Sequence, residues 1–379
     1  MKTLRDIKNI KGKRVLVRVD YNVPMKGTKI VDTRRIDASF ATIDTLQKKG
    51  AQLVLLAHMG DAKATLRHVA TYLSKKYKIV FITESLLNTQ KVMSLFTAVA
   101  PSTVILCENI RHYEGEEKND PAFIKKLSAL GDIYVNDAFS VSHRTHASVV
   151  GLAKKLPSYA GVQLEKEVKE LSKLLNNKKH PFLFILGGAK FSTKIPLLKR
   201  FMKDADQVVI AGAILNSFYK TAGFEVGASV VEDGYDKDIK SLLKSTKLLL
   251  PVDVTVVRGK KQTTCIIDEI TKADTIVDIG PQSIALIGEK ISKAKVIVWN
   301  GPTGWYERGF TKGTIGIAKA MVSSSAYSVI GGGDTGAVIE KMIGESASWR
   351  KKIFVSTGGG ATLEYLAKGT LPGIQSIAR

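Results

Sequence analysis

The chain has 379 residues, 44% of them apolar and 24% charged, which excludes a disordered protein and makes two domains the expectation. Lys and Arg outnumber Asp and Glu by 57 to 35, a net charge of +22, so two kinds of partner come first: nucleic acid, or strongly anionic small molecules. Cys107 and Cys265 lie far apart in apolar runs, which argues against a disulfide scaffold or a zinc site; with no signal-peptide core and no apolar run of membrane-spanning length, a cytoplasmic protein is expected.

In chain order, short β-branched runs alternate with segments of helical period. Arg14–Val19 reads as a strand and Thr33–Lys49 as a helix stopped by Gly50. Then come strand Gln52–Ala57, helix Leu66–Lys76, strand Ile79–Ile82, helix Leu86–Val99 and strand Thr103–Cys107. Helix Pro121–Leu130 and strand Ile133–Val135 close this first series. Leu156–Asn177 reads as a connecting helix, with Leu164, Val168, Leu171, Leu174 and Leu175 on one face. A second series has strands at Phe182–Leu186, Gln207–Ala211, Val252–Val257, Thr275–Ile279, Val296–Trp299, Ser328–Ile330 and Ile353–Ser356. Apolar strands alternating with helices predict parallel sheets covered on both faces. The expected fold is therefore α/β: two doubly wound, Rossmann-like domains, 1–160 and 161–369, joined by the connecting helix at the start of the second.

The charge follows neither domain. Residues 1–160 carry 26 basic and 14 acidic side chains, and residues 161–379 carry 31 and 21. There is no basic tail and only 7% of residues are aromatic, a poor match to a nucleic-acid surface, which more often clusters its basic residues among aromatics.

Six strand ends of the second half run into glycine: Gly187-Gly188, Gly212, Gly280-Pro281, Gly301-Pro302, Gly331-Gly332-Gly333 and Gly358-Gly359-Gly360. Glycine beyond the carboxyl end of a parallel strand lets backbone N–H groups approach phosphate, so a nucleotide site is expected there. The P-loop, dinucleotide and protein-kinase fingerprints are all absent. Lys190 and Lys194 follow the first glycine pair at a spacing that would share one helix face, Asp334 and Thr335 follow the triple glycine, and Asn300 and Glu307 flank a rigid turn suited to ribose hydroxyls.

In the first half the polar residues gather where strands end. Arg18, Asp20 and Asn22 follow the first strand, with Arg35 on the next helix; His58 ends the second strand; Arg111 and then His143, Arg144 and His146 follow later ones. All these ends fall on one edge of a parallel sheet, and guanidinium forks suit phosphate and carboxylate, so a small, multiply anionic ligand is expected. An anion site and a nucleotide site on separate domains read as a hinge-closing phosphotransferase.

These residues carry a resemblance. RVLVRVDYNVP, ENIR, NDAFSVSHRTHAS, LPSYAGVQLEKEV, ILGGAKFSTKI, LPVDV, DIGP, VWNGPTGWYE, GGGDT and STGGGATLEYLAKGTLPG stand in the order and spacing of the phosphoglycerate kinase family, which the chain resembles along nearly its whole length. The resemblance implies reversible in-line phosphoryl transfer from 1,3-bisphosphoglycerate to MgADP, giving 3-phosphoglycerate and MgATP in glycolysis and gluconeogenesis, with domain closure and no phospho-enzyme. It assigns phosphoglycerate to Arg18, Asp20, Asn22, Arg35, His58, Arg111 and Arg144, with His143 and His146 nearby. It assigns the nucleotide to Gly187, Gly188, Ala189, Lys194, Gly212, Asn300, Pro302, Glu307, Gly331, Gly332, Gly333, Asp334 and Thr335. Arg35, Lys190, Gly333 and Gly359 would stabilise the transferred group, and Asp334 would be the carboxylate linked to Mg2+. It also implies a monomer without membrane or specific nucleic-acid partners, and a C-terminal tail, 370–379, that returns to the first domain.

Two departures stand out. The family usually continues from this histidine with Leu-Gly-Arg-Pro and a longer loop; here Met59-Gly60-Asp61-Ala62 follows, one phosphate-binding arginine is missing, and Lys63 and Arg67 are the nearby cations. Thr193 stands where the family commonly has Asp. The competing expectation is a catalytically weak or moonlighting homologue that uses its basic surface for nucleic acid or other anions.

Overall fold

A computed structural model describes the chain except residues 177–178, 333–334, 337–338, 340–348, 350–351 and 379. It divides into two compact units, Met1–Glu170 with Lys368–Arg379, and Leu171–Ala367.

The first unit is built on a six-stranded sheet, all of its pairings parallel. Its strands are β1 (Arg14–Arg18), β2 (Gln52–Leu56), β3 (Ile79–Ile82), β4 (Val104–Cys107), β5 (Ile133–Asn136) and β6 (Ser158–Ala160). The spatial order is β3-β4-β2-β1-β5-β6, so β2, β4 and β3 lie on one side of β1 and β5 and β6 on the other. β1, β2, β4 and β5 are almost wholly buried, as apolar strands covered by helices on both faces must be. The direction change beside β1 opens a crevice at the carboxyl ends of these strands.

The segment read as one helix from Thr33 to Lys49 is two helices, Arg34–Ala38 and Phe40–Lys48. Ser39 divides them: its hydroxyl donates to the Ile36 carbonyl at 2.7 Å and meets the Tyr21 hydroxyl at 3.0 Å, a local bond that competes with the helical ladder. The connecting helix is also shorter than its apolar stripe implied. Ser158–Ala160 pairs with β5 as the sixth strand, and the helix runs only Val162–Asn176; Asn177 lies outside the described residues. Asp137 sets that start. Its Oδ1 accepts from the backbone of Gln163 at 2.9 Å and of Leu164 at 3.3 Å, and a Cβ on Gly161 would lie 2.2 Å from the same oxygen. The chain's last helix, Pro372–Ile377, belongs to this unit, and Gly373 donates its N–H to the Ser142 carbonyl at 2.8 Å.

The second unit holds another six-stranded parallel sheet. In chain order its strands are β7 (Phe182–Leu186), β8 (Gln207–Ile210) and β9 (Leu248–Leu249), then β13 (Val296–Asn300), β14 (Tyr327–Gly331) and β15 (Ile353–Ser356). The intervening β10 (Asp253–Arg258), β11 (Lys261–Ile266) and β12 (Thr275–Ile279) form a separate antiparallel sheet ordered β11-β10-β12. The parallel series expected from sequence thus loses Val252–Val257 and Thr275–Ile279, and gains an unforeseen partner for them. β11 escaped notice because its residues, KQTTCI, are polar and mostly exposed, so it carries no apolar alternation. A two-residue turn through Gly259, at φ +59°, joins it to β10. The main sheet runs β9-β8-β7-β13-β14-β15, so its winding reverses at β7 and opens a second crevice.

Candidate functional site

In the first unit, the sheet's carboxyl edge gathers four arginines. Arg18 ends β1 and is buried, its relative exposure only 1%. Its Nε donates to Ser148 Oγ at 2.8 Å, one terminal nitrogen to the Val19 carbonyl at 2.6 Å, and the other to His58 Nδ1 at 3.1 Å. Three of five guanidinium donors are thus spent on the protein, which fixes the plane in which the remaining two point. A guanidinium only donates, so His58 Nδ1 accepts and the imidazole carries its proton on Nε2. Burial, then the charges of Arg18, Arg111, Arg144 and Arg35, push the His58 pKa far below its ordinary value. It is a neutral donor at physiological pH.

Asp20, also buried, accepts from Ser140 Oγ at 2.5 Å and pairs with Arg35 at 3.2 Å, while Arg35 donates to the Asn22 carbonyl at 3.1 Å. Asn22 Oδ1 in turn accepts from the Gly60 N–H at 2.9 Å. Arg111 bonds the Gly60 carbonyl and pairs with Glu117 at 3.3 Å. His146 is pushed down to about 4 by burial and by Arg144, Arg18 and Arg111. Arg18, Asp20, Asn22, Arg35, His58, Arg111, Arg144 and His146 therefore form one cluster; His143, half-buried on the same turn, enters none of the contacts just named. Like charges so close repel, and an anion placed among them relieves that repulsion.

The short loop after His58 is held by Asn109, whose amide nitrogen lies 2.8–2.9 Å from the carbonyls of Met59, Asp61 and Ala64 and shares its two protons among them. Arg67 turns to the Phe81 ring, 5.5 Å from its centroid, and Lys63 faces solvent.

In the second unit, the crevice at β7 is a cavity of about 550 Å3, inside the span of roughly 300–1,000 Å3 usual for small-molecule sites. Gly188, Gly212, Gly301, Gly332 and Gly359, each beyond a strand of the parallel sheet, line it together with Ala189, Lys190, Lys194, Asn300, Pro302, Glu307 and Thr335. Two glycines are mandatory. Gly212 has φ +64°, and a Cβ there would lie 2.4 Å from the Gly188 nitrogen; Gly301 has φ +86°, and its Cβ would lie 2.3 Å from the Gly187 oxygen. The turns after β7, β8 and β13 thus touch backbone to backbone. Gly187 and Gly331 sit behind the lining: Gly187 N–H donates to the Asn300 carbonyl at 2.7 Å, and the Asn300 amide donates to the Gly331 carbonyl at 2.6 Å. The Gly280 turn belongs to the antiparallel sheet, packed on Asp253, and does not reach the cavity. Gly333 and Asp334 lie outside the described residues.

Lys190 and Lys194 do not share a helix face. The helix begins at Ile195, because Pro196 has no N–H to extend the ladder backward, and Lys194 is its cap. Lys190 is exposed, whereas Lys194 is buried with its ammonium on the Gly187 carbonyl. Thr193 turns back to donate to the Lys190 carbonyl at 3.0 Å. Two carboxylates not foreseen shape this cavity. Glu232 accepts from the backbone of Phe191 at 2.5 Å and Ser192 at 3.3 Å, fixing the segment between the lysines. Asp278 lines the cavity and accepts from Thr303 Oγ1 at 3.0 Å, Ile279 N–H at 2.9 Å and Gly313 N–H at 2.9 Å. Burial, opposed by those three donors, pushes its pKa up to about 6. The motif DIGP carried the aspartate, but nothing in it told that the carboxylate would brace the turn after β13.

Two doubly wound units, one with an arginine-rich anion cradle and one with a glycine-lined cavity of nucleotide size, are the parts of a small-molecule kinase, a transferase. The comparisons with known proteins make this specific. The family model described as phosphoglycerate kinase matches residues 4–369. A phosphoglycerate kinase of Finegoldia magna is 41% identical over 394 aligned residues, covering 99% of this chain and 98% of the relative, and one of Dictyoglomus turgidum is 42% identical over 392, covering 98% of each. The solved phosphoglycerate kinase of Coxiella burnetii superposes with a TM-score of 0.82 at 36% identity, covering 99% of this chain and 98% of that one. That of Pyrococcus horikoshii superposes with 0.88 at 29% identity, covering 100% and 98%. The chain belongs to the phosphoglycerate kinase family.

Proposed function

We propose that this chain catalyses the reversible transfer of a phosphoryl group between the acyl phosphate of 1,3-bisphosphoglycerate and ADP, releasing 3-phosphoglycerate and ATP; in reverse, a carboxyl group is the acceptor. One observation carries the reading: within a family member, four guanidinium groups around a neutral, buried histidine face the ligand edge of one sheet, and a glycine-lined cavity with two lysines faces that of the other. Arg18, Asp20, Asn22, Arg35, His58, Arg111 and Arg144 are assigned to phosphoglycerate, with His143 and His146 beside them. Arg18 and Arg111 supply charge to a phosphate or carboxylate, and the His58 Nε2–H supplies a neutral hydrogen bond. The glycine turns, Lys194, Asn300, Pro302, Glu307 and Thr335 are assigned to the nucleotide.

Transfer is in line: the bond from the acyl oxygen to phosphorus breaks as the bond from the ADP terminal oxygen forms, and no group on the protein is phosphorylated. Catalysis by this chain is then positioning and charge neutralisation by Arg35, Lys190 and the backbone N–H groups at Gly333 and Gly359. Lys190 suits that role by being exposed at the cavity wall rather than tied down like Lys194. Mg2+ is assigned to the nucleotide phosphates and Asp334, where it would neutralise charge on the phosphate oxygens. The cavity fits such a group on one point: Thr335 Oγ1 lies buried in its wall with no hydrogen-bond partner among the described residues, a hard oxygen of the kind that phosphate or a metal-bound water engages. A monomeric, cytoplasmic enzyme without membrane or specific nucleic-acid partners completes the proposal; no helix among the described residues is long and apolar enough to cross a membrane.

The test is a coupled assay for ATP consumption dependent on 3-phosphoglycerate and Mg2+. Turnover in tens to hundreds per second is expected, by the general range of enzyme rates. Pure, folded protein without turnover would refute the proposal.

A further inference from the structure

Behind the arginine cluster lies a carboxylate with no part in the assignments above. Glu116 sits in the short helix Glu114–Glu117 and is completely buried, whereas Glu114 and Glu117 on either side are exposed. Burying a carboxyl group is costly unless its oxygens are satisfied. Here one residue satisfies both: the Ser148 N–H donates to Oε2 at 2.9 Å, and the Ser148 hydroxyl donates to Oε1 at 2.6 Å. His146 Nδ1 stands 3.8 Å from Oε1.

With Glu116 as a carboxylate, which can only accept, counting protons fixes the direction of the bonds from it to Arg18. A serine hydroxyl has a single proton, and Arg18 Nε can only donate. With Arg18 Nε 2.8 Å from Ser148 Oγ, that oxygen accepts from Arg18 and gives its proton to Glu116. Arg18 then donates to His58 Nδ1 at 3.1 Å, which keeps the imidazole proton on Nε2. Burial raises the Glu116 pKa, while the Arg18 charge and the two Ser148 donors hold it down. Held as a carboxylate by these donors, Glu116 is the buried counter-charge of an arginine that is itself only 1% exposed.

We propose that Glu116 is a positioning residue for the phosphoglycerate site: through Ser148 it sets the plane of the Arg18 guanidinium and, through Arg18, the tautomer of His58. The proposal rests on the kinase reading above. Glu116 touches no substrate; its effect is on how two substrate-facing groups are aimed. An amide at this position offers one acceptor to two Ser148 donors and leaves Arg18 without its buried counter-charge.

The experiment compares the wild-type chain with Glu116→Gln, Ser148→Ala and, as a control, Glu114→Gln, an exposed carboxylate paired with Lys118 at 2.8 Å. For Glu116→Gln the KM for 3-phosphoglycerate should rise roughly 10- to 100-fold, the effect of spoiling a buried bond to a charged group, while kcat and the KM for ATP stay within about 2-fold. Ser148→Ala should shift the same single parameter, and Glu114→Gln none. Nitrogen-15 spectra of labelled histidine should show His58 protonated at Nε2 in the wild type and mixed between tautomers in Glu116→Gln. Unchanged kinetics in Glu116→Gln and Ser148→Ala overturn the proposal, as does a loss confined to kcat with both KM values unmoved, the mark of an inactive misfolded fraction. If Glu116→Gln does not fold, Ser148→Ala, which deletes only the bridging hydroxyl, decides. Wild type without turnover would refute the kinase reading instead. Calorimetric titration with 3-phosphoglycerate then settles the positioning role: tenfold weaker binding by the variant upholds it, and equal or absent binding overturns it.

Discussion

Replacing Asp278 by Asn isolates what a buried carboxylate costs the second unit. The side chain is 4% exposed and accepts three hydrogen bonds, and burial pushes its pKa from an ordinary 3.8 up to about 6. A carboxyl raised on folding contributes stability in its protonated form. That contribution is complete below the unfolded value and is lost as pH rises through the folded one. At about 1.4 kcal/mol per pH unit, integration over those two values gives wild-type protein a loss of about 2 kcal/mol between pH 4.5 and pH 8 from this group alone. The amide of the Asp278→Asn variant cannot ionise, so that protein lacks the slope. Its own defect is constant with pH: the donors of one carboxylate oxygen, either Gly313 N–H or the pair Ile279 N–H and Thr303 Oγ1, face an amide NH2 instead of an acceptor, a cost of about 1–3 kcal/mol. The variant should therefore be clearly less stable than wild type at pH 4.5 and draw level with it near pH 8. By the usual conversion of about 2–4 °C per kcal/mol for a unit of this size, the gap in Tm should close by roughly 4–8 °C across that range. Asp137, pushed up to about 7, titrates equally in both proteins and cancels in the difference. Scanning calorimetry of the pair at matched ionic strength measures this directly. Parallel Tm curves from pH 4.5 to pH 8 would refute the claim that Asp278 is ionised at a cost. Because Asp278 braces Thr303, the KM for nucleotide should also rise in the variant, with the KM for 3-phosphoglycerate unmoved.

Lys190→Ala should lower kcat by roughly 100-fold or more with little change in either KM, since its charge is needed mainly in the transition state; an unchanged kcat removes Lys190 from the mechanism. Gly212→Ala places a Cβ 2.4 Å from the Gly188 nitrogen in a left-handed conformation, so it should lose at least about 1–2 kcal/mol in denaturant unfolding and bind nucleotide more weakly in calorimetry; full stability would contradict the close packing of these turns. His58 should show no titration between pH 5 and pH 8 in nitrogen-15 spectra, because burial and four arginines oppose its protonation. Duplex DNA should bind weakly at most, and less as salt rises, in a filter assay; tight binding at about 0.15 M salt would give the +22 charge a specific role.

The parts of this protein that the sequence determined by itself are those governed by local chemistry. Strands such as Phe182–Leu186 and Val104–Cys107 announce themselves because a strand buried on both faces has to be apolar throughout, and polar residues at the ends of such strands, Arg18 or His58, stand out against it. Glycines after strands are legible for the same reason: Gly212 and Gly301 occupy positions that other residues cannot. From these alone came the α/β class, the two candidate sites and most of their residues. What only the tertiary structure decided depends on contacts between residues distant in sequence. Val254 and Val256 could pair in either kind of sheet, and β11 and β12 made theirs antiparallel. The lysine spacing implied a shared helix face until Pro196 set where the helix begins. Three acidic residues at 114, 116 and 117 look alike, yet one is buried on Ser148 and two are in water. A sequence specifies which groups exist and how neighbours along the chain are spaced. Whether a carboxylate braces a turn, orients an arginine or only meets solvent is set by which donors the folded chain brings within hydrogen-bond reach.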